Sequence, residues 1–280
     1  MKLVKFERGG RNAEGLLEGG LIHLTSDWRH GPADMAPFLL PQWSLAEMQN
    51  AAAGLSESVS IADVALAVPL DPRSKVICIG ANYRAHALEA GIAESAYPPV
   101  FMRHHDTLVA HGQPLIKPRV SEQYDFEGEL ALVVGRAGRN IKPADAMLHV
   151  MGVTCFMDGS VRDYQRQSIA AGKNFWRSGA MGPSIVLARD MPDVHSVRLQ
   201  TRLNGELVQA ATLDQLIHDM ATLVSYCSSW ARLEPGDVIA TGTPEGIGSR
   251  RTPPMWIKAG DVIEVEIEDL NVLRNPIEVE

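Results

Sequence analysis

Cysteine is scarce in this chain. Cys78, Cys155 and Cys227 lie far apart, with no CxxC spacing, and an odd number cannot all pair within one chain. A disulfide scaffold is therefore not expected, and reduced thiols in a cytoplasmic setting are. Long apolar runs are missing too: none approaches the roughly 20 residues that span a bilayer, so no membrane association is expected. The opening MKLVKFERGG carries charges where a secretory signal would carry its apolar region, which argues against export. Positive charge is in deficit. The net charge is -8, and Arg250 with Arg251 is a pair rather than a patch, so nucleic acid is not the expected partner. There is no fixed-period repeat and no low-complexity tract.

What remains is an ordinary globular composition in 280 residues, enough for one large domain, or a large one with a small companion. Residues 1–70 carry short apolar pieces (LVKF, GLLEG, LIHL), then the polar, Pro-containing TSDWRHGPADMAPF, then a possible helix around LAEMQNAAAG. They read as a small appended domain. From residue 71 onward KVICIG, ELALVV, GVTCFM, PSIVLA, RLQTRL, DVIAT and DVIEVEIE read as strands between Gly and Pro turns. Leu213, Leu216, Ile217, Met220, Leu223, Val224 and Cys227 follow the spacing of one amphipathic helix, a packing face. Strands outnumber helices and do not alternate with them regularly, so the expected class is a β-dominated α+β fold.

The stretch YDFEGELALVVG, residues 124 to 135, stands apart. Strand alternation places Asp125, Glu127 and Glu129 on one face, yet that face continues as Ala131 and Val133. The segment VIEVEIEDL provides a control, because there Ile263, Val265 and Ile267 alternate cleanly with Glu264, Glu266 and Glu268, as in a half-buried strand with a solvated face. In the first stretch both faces turn apolar after Glu129, so its acids are carried into the core. Two carboxylates converging to about 4 Å repel by about 4 kcal/mol at an effective dielectric near 20. Protonation or a cation must relieve that. All-oxygen donors select a hard ion, Mg²⁺, Mn²⁺ or Ca²⁺, and the scattered His and Cys offer no zinc spacing.

MGVTCFMDGSVRDYQRQ reads as an apolar strand ending at Asp158-Gly159, after which Ser160 can cap a helix with Asp163 three residues on. Asp158 is then either a third ligand or a plain turn cap. Arg162 and Gln165 share a helical face, where Arg162 by itself reads as a surface ion pair. His86 and Glu89, three apart in NYRAHALEAG, face each other if that segment is helical; AGIAESAYPP after them has the composition of a loop.

Together IGANYRAHALEAG, PVFMR with HGQPLIKP, DFEGELALVVGR, MDGSVRDYQ, GKNF, TRLNGELVQ and GDVIATGTPEGIG resemble the fumarylacetoacetate hydrolase family, in the family's order from about residue 70 to the end. The resemblance implies a mixed β-sheet roll or barrel as catalytic domain over 71–280, with a small N-terminal α+β domain over 1–70, and a homodimer. It implies Glu127, Glu129 and Asp158 as ligands of a catalytic Mg²⁺ or Mn²⁺, with Asp125 supporting them. Lys173 and Gln165 would contact substrate oxygens, Arg162 would hold charged groups, and Thr243 would hold the substrate carboxylate. His86 and Glu89 would be the dyad that deprotonates water, carried on a mobile lid. The implied reaction is hydrolytic cleavage of a 2,4-dioxo acid to pyruvate and a carboxylic acid. Decarboxylation of oxaloacetate, isomerisation or hydration of unsaturated oxo-diacids, and mere binding of a small acid stand as alternatives. One departure is Arg103, where many members read FMK or FLK; His104, His105, Asp106 and His111 beside it are assigned to a loop rather than to the pocket.

Overall fold

The structure is a computed structural model, and it describes residues 1–33, 45–192 and 196–280, with side chains from residue 48 in the first helix. Of the polar stretch predicted over 25–38, positions 34–38 lie outside the described residues. The helix expected near residue 50 spans Leu45–Leu55.

All seven strands read from residue 71 onward are present, and they divide between two sheets. The larger has 13 strands. Its centre runs Gly179–Leu187, Val150–Met157, Gly128–Val134, Val238–Ala240, Val76–Ile79 and Val100–Arg103. The pairings are mixed: Gly128–Val134 lies antiparallel to both its neighbours, while Val238–Ala240 and Val76–Ile79 run parallel. At the other end Lys2–Arg8 pairs antiparallel with Gly179–Leu187, Lys2 opposite Val186, so the sheet continues into the N-terminal segment. The second sheet has five strands, Leu115–Lys117, Asn271–Val279, Val262–Ile267, Arg198–Leu203 and Glu206–Thr212.

Apolar alternation explains the layering. Leu130, Leu132 and Val134 project from one face of the central strand into a core shared with Leu199, Ile263, Val265 and Leu273 of the smaller sheet. Ala131 and Val133, on the other face, pack among Phe156, Met181, Val238 and Ala240. A strand buried on both sides gives a near-continuous apolar run, the pattern the sequence shows. The control strand behaves as its alternation demands: Ile263, Val265 and Ile267 are buried, and Glu264 and Glu266 meet Arg274 and Arg202 at the surface. Among the described residues no helix is long and apolar enough to cross a membrane.

Three local expectations are corrected. The amphipathic segment is not one helix: Leu213–Gln215 forms a 3-10 turn, and the α-helix Met220–Trp230 starts only where Asp219 accepts a hydrogen bond from the Thr222 amide at 2.8 Å. That cap sets the boundary. Likewise 124–135 is not one strand. Tyr124–Asp125 pairs with Ser160–Val161 in a separate two-stranded sheet, and the chain re-forms a strand only at Gly128. Ser160 caps no helix, because it lies in that short strand and its hydroxyl donates to the Asp158 carbonyl at 2.9 Å. The helix Arg162–Gln165 follows without a side-chain cap.

Candidate metal and acid site

The break in the 124–135 segment builds the site. Asp125 accepts from the Phe126 amide at 2.8 Å, and the Asp158 amide donates to the Glu127 carbonyl at 2.8 Å. The end of Val150–Met157 is thereby tied beside Glu127. Glu129 sits one residue into the central strand, so all three acids converge: carboxylate oxygens of Glu127, Glu129 and Asp158 lie within 4.8 Å of one another, all buried.

Three cations surround them. Lys173 Nζ, at the end of the helix Ile169–Lys173, lies 2.6 Å from Glu127 Oε2 and 2.5 Å from Asp158 Oδ2. Arg162 lies 2.6 Å from Glu127 and 2.8 Å from Asp125, and it donates to Gln165 at 2.8 Å. Its predicted face is right, but its ion pair is buried rather than on the surface. Arg103 Nη1 lies 2.5 Å from Asp158 Oδ1. Gly172 lets the two short helices meet, since a Cβ there would come within 2.5 Å of the Gln165 backbone.

Their electrostatics differ within a few ångströms. Burial alone would raise the Glu127 carboxyl, but Lys173, Arg162 and His86 hold it down to about 2. Burial lowers the Lys173 ammonium, yet Asp158 and Glu127 raise it above its ordinary value. Glu129 makes no ion pair among the described residues. Burial first, then the charges of Asp158 and Glu127, push its carboxyl well above the usual range. A hydrogen bond from the Gly242 amide at 2.9 Å acts the other way, favouring the carboxylate.

The loop around residues 241–249 supplies further amides. Gly246 N reaches Glu89, and Gly248 N and Ser249 N reach Asp125 at 2.8 and 3.0 Å. From this Gly-rich turn the resemblance implies one substrate contact, Thr243. Its amides also hold three acids, Glu129, Glu89 and Asp125, a role that composition cannot reveal. Thr243, the expected carboxylate contact, donates its hydroxyl to the Gly128 carbonyl and accepts from Gln209, both at 2.9 Å.

His86 and Glu89 fall on the helix Arg84–Ala90, with Nδ1 3.3 Å from Glu89 Oε2. Residues 91–99 after it carry no helix and are mostly exposed. A cavity of about 510 Å³ reaches the cluster at Glu127, and His86, Arg162, Gln165 and Lys173 also stand on its wall. Val100, Phe101 and Ile169 give it an apolar side, and Arg166 and Arg250 stand on its lining as well. His104, His105, Asp106 and His111 do not line this cavity; His105 and Asp106 belong to a 3-10 turn over His105–Thr107. Arg103, given no role by the sequence, is part of the cluster.

Residues 75–278 match the family model described as fumarylacetoacetate (FAA) hydrolase C-terminal. The chain is 35% identical to the mitochondrial oxaloacetate tautomerase fahd2 of Xenopus laevis, over 99% of this chain and 90% of that protein. It superposes on the fumarylacetoacetate hydrolase of Exiguobacterium antarcticum with a TM-score of 0.84 at 31% identity, over the whole of both chains. A 5-carboxymethyl-2-hydroxymuconate delta-isomerase from Mycobacterium smegmatis gives a TM-score of 0.80 at 28% identity, again over the whole of both.

Proposed function

This chain belongs to the fumarylacetoacetate hydrolase family, and from that premise we propose that it is a divalent-cation-dependent enzyme that enolises 2-oxo acids and hydrolyses the C3 to C4 bond of 2,4-dioxo acids. One observation carries the reading: three buried carboxylates meet just behind a cavity wall that Glu127 reaches, and one of them, Glu129, has no cationic partner among the described residues. Once Glu129 gives up its proton, Asp125, Glu127, Glu129 and Asp158 bring four negative charges, against three positive ones from Arg103, Arg162 and Lys173. A divalent cation offsets that excess, and an all-oxygen donor set suits Mg²⁺ or Mn²⁺.

Glu127, Glu129 and Asp158 would hold the ion. When bound, it would act as a Lewis acid toward the carboxylate and 2-oxo oxygens of the substrate. The chain's own groups do the rest. Lys173, already raised toward its charged form, meets the negative charge that gathers on the 2-oxygen as carbon 3 loses a proton. Arg162 and Gln165, joined on the cavity wall, face the remaining substrate oxygens. Thr243 serves the substrate carboxylate by exchanging one of its two present hydrogen bonds.

His86 is the proton carrier. Glu89 engages its Nδ1, which leaves Nε2 as the working nitrogen. Taking the proton from carbon 3, with a proton delivered to the 2-oxygen, gives tautomerisation. Taking it from water gives hydroxide attack on the 4-carbonyl; the C3 to C4 bond then breaks, the carboxylic acid leaves, and return of the proton to carbon 3 of the enolate gives pyruvate. The tautomerase reading has separate support in the 35% identity with the Xenopus oxaloacetate tautomerase, and it uses the same His86.

A substrate panel with Mg²⁺ or Mn²⁺ decides: acetylpyruvate, fumarylpyruvate, oxaloacetate and an unsaturated oxo-diacid, scored for pyruvate, CO₂, enol and isomer. Pyruvate with an equimolar acid supports hydrolysis, and enol interconversion alone restricts the enzyme to tautomerisation. CO₂ from oxaloacetate makes it a decarboxylase. No turnover of any, with binding retained, reduces it to a small-acid binding protein. A homodimer goes with the family reading, and sedimentation velocity tests it.

A further inference from the structure

Arg103 ends the strand Val100–Arg103, and its side chain is fully enclosed. A buried guanidinium must have its donors satisfied, and here the partners are specific. Nη1 donates to Asp158 Oδ1 at 2.5 Å and to the Gly159 carbonyl at 2.9 Å; Nη2 donates to Ser178 Oγ at 2.9 Å and Nε to Thr107 Oγ1 at 3.2 Å.

The two hydroxyls are themselves fixed. Thr107 donates its proton to the His104 carbonyl at 2.7 Å and Ser178 donates its own to the Phe175 carbonyl at 2.8 Å, so each presents a lone pair to Arg103. Room for the fork comes from Gly179, where a Cβ would stand 2.7 Å from Nη2. The guanidinium is thus held on several sides by groups that do not touch the other acids.

Asp158 meets this brace with one oxygen only. Its Oδ2 is bonded to the Lys173 nitrogen that also bonds Glu127, so Oδ2 is the oxygen turned toward the acid cluster. We propose that Arg103 is a positioning residue for Asp158: it secures Oδ1 and so holds Oδ2 at the angle from which it completes the cation site with Glu127 and Glu129. The inference rests on the metal reading above. Its physical content is that geometry outweighs charge. By Coulomb's law alone, a guanidinium beside the site repels a divalent cation, and removing it should tighten binding. If Arg103 works by orientation, removing it loosens binding, as loss of a group orienting a ligand commonly does, by about 10 to 100-fold.

The test is Mn²⁺ alone, titrated into the full chain and followed by the electron paramagnetic resonance signal of the free ion, for the unsubstituted protein, Arg103→Lys and Arg103→Met. Both variants should bind about 10 to 100-fold more weakly. Lysine keeps the charge but cannot span the same partners. Thr107→Val removes one strut of Arg103 without touching Asp158, and it should weaken Mn²⁺ several-fold even if the Arg103 variants fail to fold. Melting temperature in EDTA accompanies each titration, and an affinity loss in Thr107→Val at an unchanged melting temperature distinguishes positioning from general damage. Wild-type affinity in Arg103→Lys, tighter binding in Arg103→Met, or unchanged affinity in Thr107→Val where the Arg103 variants do not fold overturns the proposal. No Mn²⁺ binding by the unsubstituted protein overturns the metal reading itself, and this inference with it.

Discussion

The amide of Gly246 donates to both carboxylate oxygens of Glu89, at 3.1 and 3.2 Å, and so ties the helix that carries His86 to the loop that also holds Glu129 and Asp125. The loop can do this because Gly246 has a φ of +95, which L side chains rarely adopt, and because a Cβ there would come within 2.4 Å of the Val208 carbonyl. Gly246→Ala should therefore lower kcat by displacing Glu89, with a smaller effect on Mn²⁺ affinity. Glu89→Gln, which keeps the shape, should lower kcat by about 10² to 10⁴. Steady-state kinetics on the best substrate of the panel check both; unchanged kcat in Glu89→Gln removes the dyad from the mechanism.

Glu127→Gln should abolish turnover and Mn²⁺ binding while leaving a folded chain, because an amide oxygen is a poorer ligand for a hard cation. Calorimetric titration with Mn²⁺ and circular dichroism check it. Retained activity withdraws the ligand assignment.

Lys173→Met leaves Glu127 and Asp158 buried without their ammonium. Breaking a buried pair from one side costs about 3–5 kcal/mol, so the melting temperature in EDTA should fall markedly. Added Mn²⁺ should recover much of that loss while turnover stays absent. A variant as stable as the parent in EDTA contradicts the electrostatic account.

The effect of Mn²⁺ on stability should depend on pH, with a sign fixed by Glu129. Its carboxyl is raised in the folded state, so its own contribution to stability is fully present below the unfolded value near about pH 4.3 and is lost as pH rises through the folded value. The ion binds the deprotonated form. The gain in melting temperature from excess Mn²⁺ should thus grow as pH rises through the window above the usual carboxylate range, and Glu129→Gln should abolish that growth. Glu127 acts with the opposite sign, but its contribution is lost only as pH falls through about 2, outside this window. A gain independent of pH contradicts the assignment to Glu129.

Glu264 is the counter-example. It lies on the solvated face of Val262–Ile267 and meets a half-exposed Arg274 at 3.3 Å. Glu264→Gln should change stability by less than about 0.5 kcal/mol, measured by urea denaturation. A larger change means that acids at alternate strand positions are not distinguished by burial as claimed.

That contrast shows how far the chain can be read directly. In VIEVEIEDL and in ELALVV the alternation decides everything, because side chains two apart share a face whatever lies beyond it. The same rule failed over 124–129, where Tyr124–Asp125 pairs with Ser160–Val161 and the amides of Gly248 and Ser249, far along the chain, hold the Asp125 carboxylate. The three acids do come together, but not along one strand. Leu213 and Leu216 followed a helical period but are held outside the helix: Tyr83 bridges to Leu216, and the Asn82 carbonyl takes the Ile217 amide.

Local chemistry in the sequence determined the strands, the buried acids and the His86–Glu89 spacing, since each depends on residues within one turn or one pleat. The tertiary structure decided which partners meet the acids: Arg103 with Asp158, Lys173 with Glu127, and the Gly246 amide with Glu89. Those pairings join groups 46 to 157 positions apart, and only the packing of the sheets brings them within hydrogen-bond reach.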